Sequence, residues 1–131
     1  VDKVDMSRTL PDGIIRFEAD KDNEERVTHE INLRGVPWKV VLVTNDLSVI
    51  LNCTHKQITP WRADFDADFT IVNSDNNRKN LTHKERSYAE RDHNRTFVDL
   101  DAWWNPIEEE EGYIDDGKIT IEVRFWVRSM K

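Results

Sequence analysis

The stretch WRADFDADFTIVN, Trp61 to Asn73, decides how the rest of the chain is read. Trp61, Ala63, Phe65, Ala67, Phe69 and Ile71 occupy one parity, and Arg62, Asp64, Asp66, Asp68, Thr70 and Val72 the other. Successive side chains of an extended chain point to opposite faces. The alternation therefore predicts a long strand with a dry face and a wet one. The three aspartates also raise the question of an ion site. An EF-hand loop needs glycine at its sixth position for a sharp turn and glutamate at its twelfth. Phe69 and Asp75 stand at those positions. On a strand, side chains two apart are separated by ~6.6 Å, a poor spacing for closing on one ion. The expectation is a solvated strand face and no metal site, with a protein-binding acidic stripe as the alternative.

Working outward, the same period recurs. KITIEVRFWV alternates Ile119, Ile121, Val123, Phe125 and Val127 with Lys118, Thr120, Glu122, Arg124 and Trp126. PWKVVLV (Pro37 to Val43) and LSVILNC (Leu47 to Cys53) flank the turn residues TND and read as a hairpin. IIRFEA (Ile14 to Ala19), VTHEINL (Val27 to Leu33) and, more weakly, RTFVDL (Arg95 to Leu100) complete the set. The pattern around Ser87 to Glu90 is ambiguous. Many short strands at close spacing predict an all-β fold, a seven- to eight-stranded antiparallel β-sandwich. At most one short helix is expected, at DLDAWW (Asp99 to Trp104), with Asp99 as cap and Pro106 as stop. Residues 1–13 read as an N-terminal extension and 14–131 as one domain.

The chain has 131 residues and a net charge of −7. That length suits one domain with a sizeable core. The acidic balance argues against a nucleic-acid footprint, which needs a basic face. No stretch reaches the ~20 apolar residues of a membrane span, and the first residues carry no apolar signal region. Cys53 is the single cysteine, so an internal disulfide and a zinc site built on cysteine pairs are excluded. Low cysteine usage leans towards a reducing, intracellular compartment, cytoplasmic or nuclear. Three N-x-T sequons, at Asn52, Asn80 and Asn94, lean the other way.

No catalytic constellation emerges. His29, His55, His83 and His93 lack metal-ligand spacing, no nucleophile elbow is present, and four glycines build no phosphate-cradling loop. No cofactor is implied, and the chain does not read as an enzyme. Cys53 shares parity with Leu47, Val49 and Leu51 and reads as core. Trp38 and Trp61 fit core or edge-of-core positions. Trp103 and Trp104 are adjacent, so only one of them can point fully inwards from a short helix. Trp126 falls on the wet face, where it is either covered by the N-terminal segment or part of an exposed contact patch. The polar segment from Asn73 to Asn94 reads as solvated strand and loop. Its arginines also suit a rim for an acidic or phosphorylated peptide.

The order of GVPWKVVLV, LSVILNC, WRADFDADFTIVNSDNN, FVDLDAWW and GYIDDGKITIEVRFWV resembles the MATH (TRAF-C-like) domain from about Ile14 to Arg128. The GVPW form is similar to that of the expanded nematode MATH and MATH/BTB families. The resemblance implies an eight-stranded sandwich that is not an enzyme and that binds short extended peptides of partner proteins. It further implies a larger parent protein, with a BTB or other neighbouring domain, such as a substrate adaptor of a cullin-type ubiquitin ligase. Extracellular MATH proteins and oligomerising signalling adaptors are the alternatives. In the adaptors, aromatic residues line the groove. The corresponding positions here are Ile50, Ala67 and Tyr88, only one of them aromatic, and RDHNRTFV offers nothing like the element that closes the adaptor groove. A more polar groove is therefore expected, with Arg91, His93 and Asn94 nearby. The family's strand arrangement also implies that Asp64, Asp66 and Asp68 lie beside Lys118, Arg124 or Arg128.

Overall fold

The computed structural model describes residues 10–20, 26–44, 47–56, 59–75, 80–100 and 112–130. Nine strands follow one another: β1 (Gly13–Asp20), β2 (Arg26–Leu33), β3 (Val36–Val43), β4 (Ser48–Cys53), β5 (Arg62–Ile71), β6 (Leu81–Glu90), β7 (Arg95–Asp99), the two-residue β8 (Ile114–Asp115) and β9 (Lys118–Met130). All pairings are antiparallel. One sheet has the order β1-β9-β5-β6, with β8 also on β9, and the other has the order β2-β3-β4-β7. The two sheets form a sandwich, as the alternation predicts. No helix among the described residues is long and apolar enough to cross a membrane.

The dry parity of each central strand fills the space between the sheets. Phe65, Ala67, Phe69 and Ile71 of β5 and Ile119, Ile121, Val123 and Phe125 of β9 are fully buried. They meet Val40 and Leu42 of β3 and Val49, Leu51 and Cys53 of β4. Each large apolar side chain so buried contributes roughly 1.5–3 kcal/mol. Trp38 crosses between the sheets and packs edge-on against Phe65, with ring centroids 5.1 Å apart at 72°, an arrangement aromatic pairs favour.

Local turn chemistry sets the register. Arg34 and Gly35, at φ 51° and 83°, link β2 to β3, and Asp116 and Gly117, at 54° and 74°, link β8 to β9. Two-residue turns with both φ values positive match the right-handed twist of a hairpin. At the β3–β4 turn Leu47 takes φ 48° and is nonetheless fully buried; its place in the core holds that backbone conformation. β1 and β2 close one side of the sandwich and β6 and β7 the other. Gly13 makes the first closure close-fitting: a Cβ there would lie 2.5 Å from both Ile31 Cδ1 and Leu33 Cδ2.

The largest departure from expectation is β6. It spans ten residues, where the sequence pattern was ambiguous over its last four. Its inward parity is apolar only at its ends, Leu81 and Ala89; between them His83, Glu85 and Ser87 are polar, because the middle of this edge strand's inner face is only half-buried. The expected helix from Asp99 to Trp104 begins on the last residue of β7, and everything after Leu100, including Trp103 and Trp104, lies outside the described residues. Of the expected N-terminal extension, residues 10–13 are described, and Gly13 already belongs to β1. Asp12 donates its N–H to the Phe125 carbonyl at 2.7 Å and accepts from Val127 N–H at 2.6 Å and Arg34 Nε at 3.0 Å.

Candidate functional site

The wet face of β5 is a charge network. Asp66 stands opposite Arg86 of β6 and Trp126 of β9. Arg86 donates from Nε to Asp66 Oδ1 at 3.0 Å and from Nη2 to Oδ2 at 3.3 Å, and Arg128 Nε donates to Oδ1 at 3.0 Å. The two guanidinium groups cover the carboxylate so well that Asp66 is only 4% exposed. This corrects the expectation of a fully solvated face. Asp64 accepts from Arg62 Nε at 3.2 Å and from Ser129 Oγ at 2.9 Å. The hydrogen bond from Arg62, then that from Ser129, holds its carboxyl below the usual carboxylate range. Asp68 faces Arg124 on one side and Lys84 on the other. Of the three expected neighbours, Arg124 and Arg128 are in place, whereas Lys118 pairs with Asp20 and Asp115 at the far end of the sheet. The aspartates stitch three strands together, and Trp126 lies half-buried among them.

The expected groove residues separate into three places. Tyr88, Arg91 and His93 come together at the corner where β6 turns into β7. The turn is closed by Glu90 N–H to His93 C=O at 2.9 Å and His93 N–H to Glu90 C=O at 3.0 Å. The Tyr88 and His93 rings stand 5.4 Å apart. The Arg62 guanidinium, steadied by Asp64, lies 4.1 Å above the Tyr88 ring, within cation–π range. Beside them Arg91, Glu90, Asp92, Pro60 and Trp61 line a depression of about 160 Å³. Trp61 forms its floor: it is 4% exposed and packs edge-on to His55 at 5.3 Å.

Ile50 lies elsewhere, on the outer face of the β2-β3-β4-β7 sheet, between Val41 and Phe97 in register. Ala67 is in neither place. It is fully buried, because positions 63 to 71 of like parity on the central strand β5 point between the sheets. The sequence-based expectation of one groove shared by all five residues is therefore corrected: Ala67 offers no surface.

Three residues at this edge were missed. Arg62 escaped because its partner Tyr88 is distant in sequence. Phe97 and Arg95 were legible: in RTFVDL the parity of Val98 and Leu100, both buried, puts Arg95 and Phe97 outside. Phe97 is 68% exposed. The sequons are spread along the surface. Asn80 and Asn94 are exposed, whereas Asn52 is half-buried on β4.

The described residues thus form a two-sheet antiparallel sandwich with aromatic and cationic groups gathered at one corner. A family model for the MATH domain matches residues 14–127, and the chain belongs to that family. MATH domains are protein-interaction modules and a non-catalytic fold, so the partner class is protein. No curated protein matches the chain in sequence.

Proposed function

We propose that this domain binds an extended peptide of a partner protein across the β6–β7 corner, as the recognition part of a larger intracellular adaptor. The observation that carries this reading is the Tyr88–His93 ring pair, with Arg91 lining the depression beside it, where among the described residues each sheet ends in a strand paired on one side only. Ring faces and guanidinium groups there suit polar and acidic side chains, in keeping with a groove that has lost aromatic character. In the adaptor reading, a BTB domain elsewhere in the parent protein couples the captured partner to a cullin-type ubiquitin ligase. A peptide array probed with the domain tests the binding reading. Tyr88→Ala is expected to lower the affinity of the selected peptides by about tenfold, the order of a lost aromatic anchor, with the unfolding midpoint unchanged. An array without specific binders, or binders indifferent to Tyr88→Ala, overturns it.

A further inference from the structure

The register of the β2-β3-β4-β7 sheet aligns three rows of outward side chains across all four strands. Thr28, Val41, Ile50 and Phe97 form the middle row. Phe97 is 68% exposed and Val41 and Ile50 are half-buried, so apolar surface runs over three strands. Glu30, Lys39, Asn52 and Arg95 form the row on one side of it, and Arg26, Val43, Ser48 and Asp99 the row on the other. The two outer strands therefore place four exposed charges at the corners of the face, Arg26 and Glu30 on β2 and Arg95 and Asp99 on β7.

Going round the face from Arg26 to Glu30, Arg95 and Asp99, the sign alternates at every step. Such a pattern is its own complement. A second copy turned face to face by a half-turn about an axis lying in the sheet plane brings each positive corner over a negative one. With the axis along the middle row, Arg95 meets Asp99 of the other copy and Arg26 meets Glu30. Phe97, Ile50 and Val41 then each meet their own counterpart, apolar on apolar. With the axis along the strands the charges also match, but Phe97 falls opposite Thr28. The apolar row thus selects the first axis. A charged rim around an apolar centre is also how protein interfaces are built.

We infer that the outer face of the β2-β3-β4-β7 sheet is a self-association surface, on which a second copy of this chain seats by a two-fold axis along the Thr28–Phe97 row. A two-fold contact uses the same patch on both copies, so every corner pair occurs twice. Face-to-face sheets pack ~10 Å apart, a gap that an arginine and a carboxylate on facing corners span together. Strands ~4.8 Å apart and like-facing residues ~6.8 Å apart give this patch roughly 400 Å² a side. A standard interface takes ~800 Å² a side. The dimer is accordingly weak and forms where the chain is locally concentrated.

The test is sedimentation of this chain from about 0.02 to about 1 mM, the range in which so small an interface should associate, with amide resonances followed over the same range. A monomer–dimer equilibrium is expected, with concentration-dependent shifts at Val41, Ile50 and Phe97. Arg95→Glu sets like charges together twice and should weaken the dimer at least about fivefold. Adding Asp99→Arg to it should restore association, and Phe97→Ala should weaken it without changing the charges. Unfolding midpoints of the variants check that each is folded. A monomer at every concentration overturns the inference, whatever other partner takes the face. So does a trimer, a dimer indifferent to Arg95→Glu, or a loss repaired by Glu30→Arg and not by Asp99→Arg. Tyr88→Ala lies in the other sheet and should leave the dimer unchanged, so this inference and the corner reading fail separately.

Discussion

Asp66→Asn tests whether the aspartate row of β5 holds the sheet together. The substitution keeps shape and volume but removes the charge. The native carboxylate accepts three hydrogen bonds, two from Arg86 and one from Arg128. Hydrogen bonds to charged groups are worth ~1.5–3 kcal/mol when sheltered. Here the acceptor side chain is 6% exposed, but its donors are 69% and 36% exposed, and exposed pairs fall to ~0.2–1 kcal/mol. The carboxylate side of the network is thus sheltered and the cation side is screened. An asparagine presents one oxygen and turns an NH2 group towards a guanidinium, so at least one donor loses its acceptor. A net loss of about 1.5 kcal/mol follows, equivalent to a fall of about 4–8 °C in Tm for a chain of this size. Urea unfolding at pH 7 should show a lower midpoint with unchanged m, since the exposed surface does not change. In 1 M salt, where the Debye length shrinks to ~3 Å, the gap between variant and parent should narrow without closing. If Asp66→Asn unfolds within about 0.3 kcal/mol of the parent, the two arginines bring no net stability to the sheet, and the reasoning fails.

Two more perturbations probe the same construction. Because Arg62 and Ser129 hold the Asp64 pKa below its ordinary value, the stability it adds is present above the unfolded pKa and is lost as pH falls through the folded one; Asp64→Asn should therefore flatten the acid limb of a Tm–pH curve, and an unchanged limb would remove the assignment. Gly13→Ala sets a methyl against Ile31 and Leu33 at the β1–β2 seam; the ends of those side chains can shift, so the cost should be about 1–2 kcal/mol in urea unfolding, and a neutral result would show the seam to be loose.

How much of this was visible in the sequence depended on which face a strand shows to the core. β5 and β9 were legible because their neighbours bury one side of each completely, which forces apolar residues onto one parity. Cys53 and Trp38 were placed correctly by the same parity. β6 was legible only as part of a solvated strand-and-loop segment, without its bounds. From Thr82 to Ser87 both its outward and its inward positions are polar, so the alternation shows only at Leu81 and Ala89. The corner trio of Tyr88, Arg91 and His93 could be named from the resemblance, but their meeting depends on a four-residue turn that hydropathy does not encode. Ala67 failed as a surface residue for a reason already in the sequence: it shares parity with Phe65 and Phe69, and parity on a central strand outranks alignment to a groove.

The two sides of the sandwich are built differently. On the β1–β2 side, Gly13 lets Ile31 and Leu33 close against the backbone, and Asp12 ties the approach to β1 to Val127 and Arg34. The edge strand β2 there exposes Arg26, Thr28, His29 and Glu30, a mixed-charge row that deters added strands. On the β6–β7 side polar inward residues, His83, Glu85 and Ser87, stand between Leu81 and Ala89, and the hydroxyls of Ser87 and Thr96 span the sheets at 3.4 Å. There the exposed row carries Arg95, Phe97 and Asp99. Both edge rows carry charges of both signs, Arg26 and Glu30 on β2 and Arg95 and Asp99 on β7, and on β7 an exposed ring, Phe97, stands between the two charges.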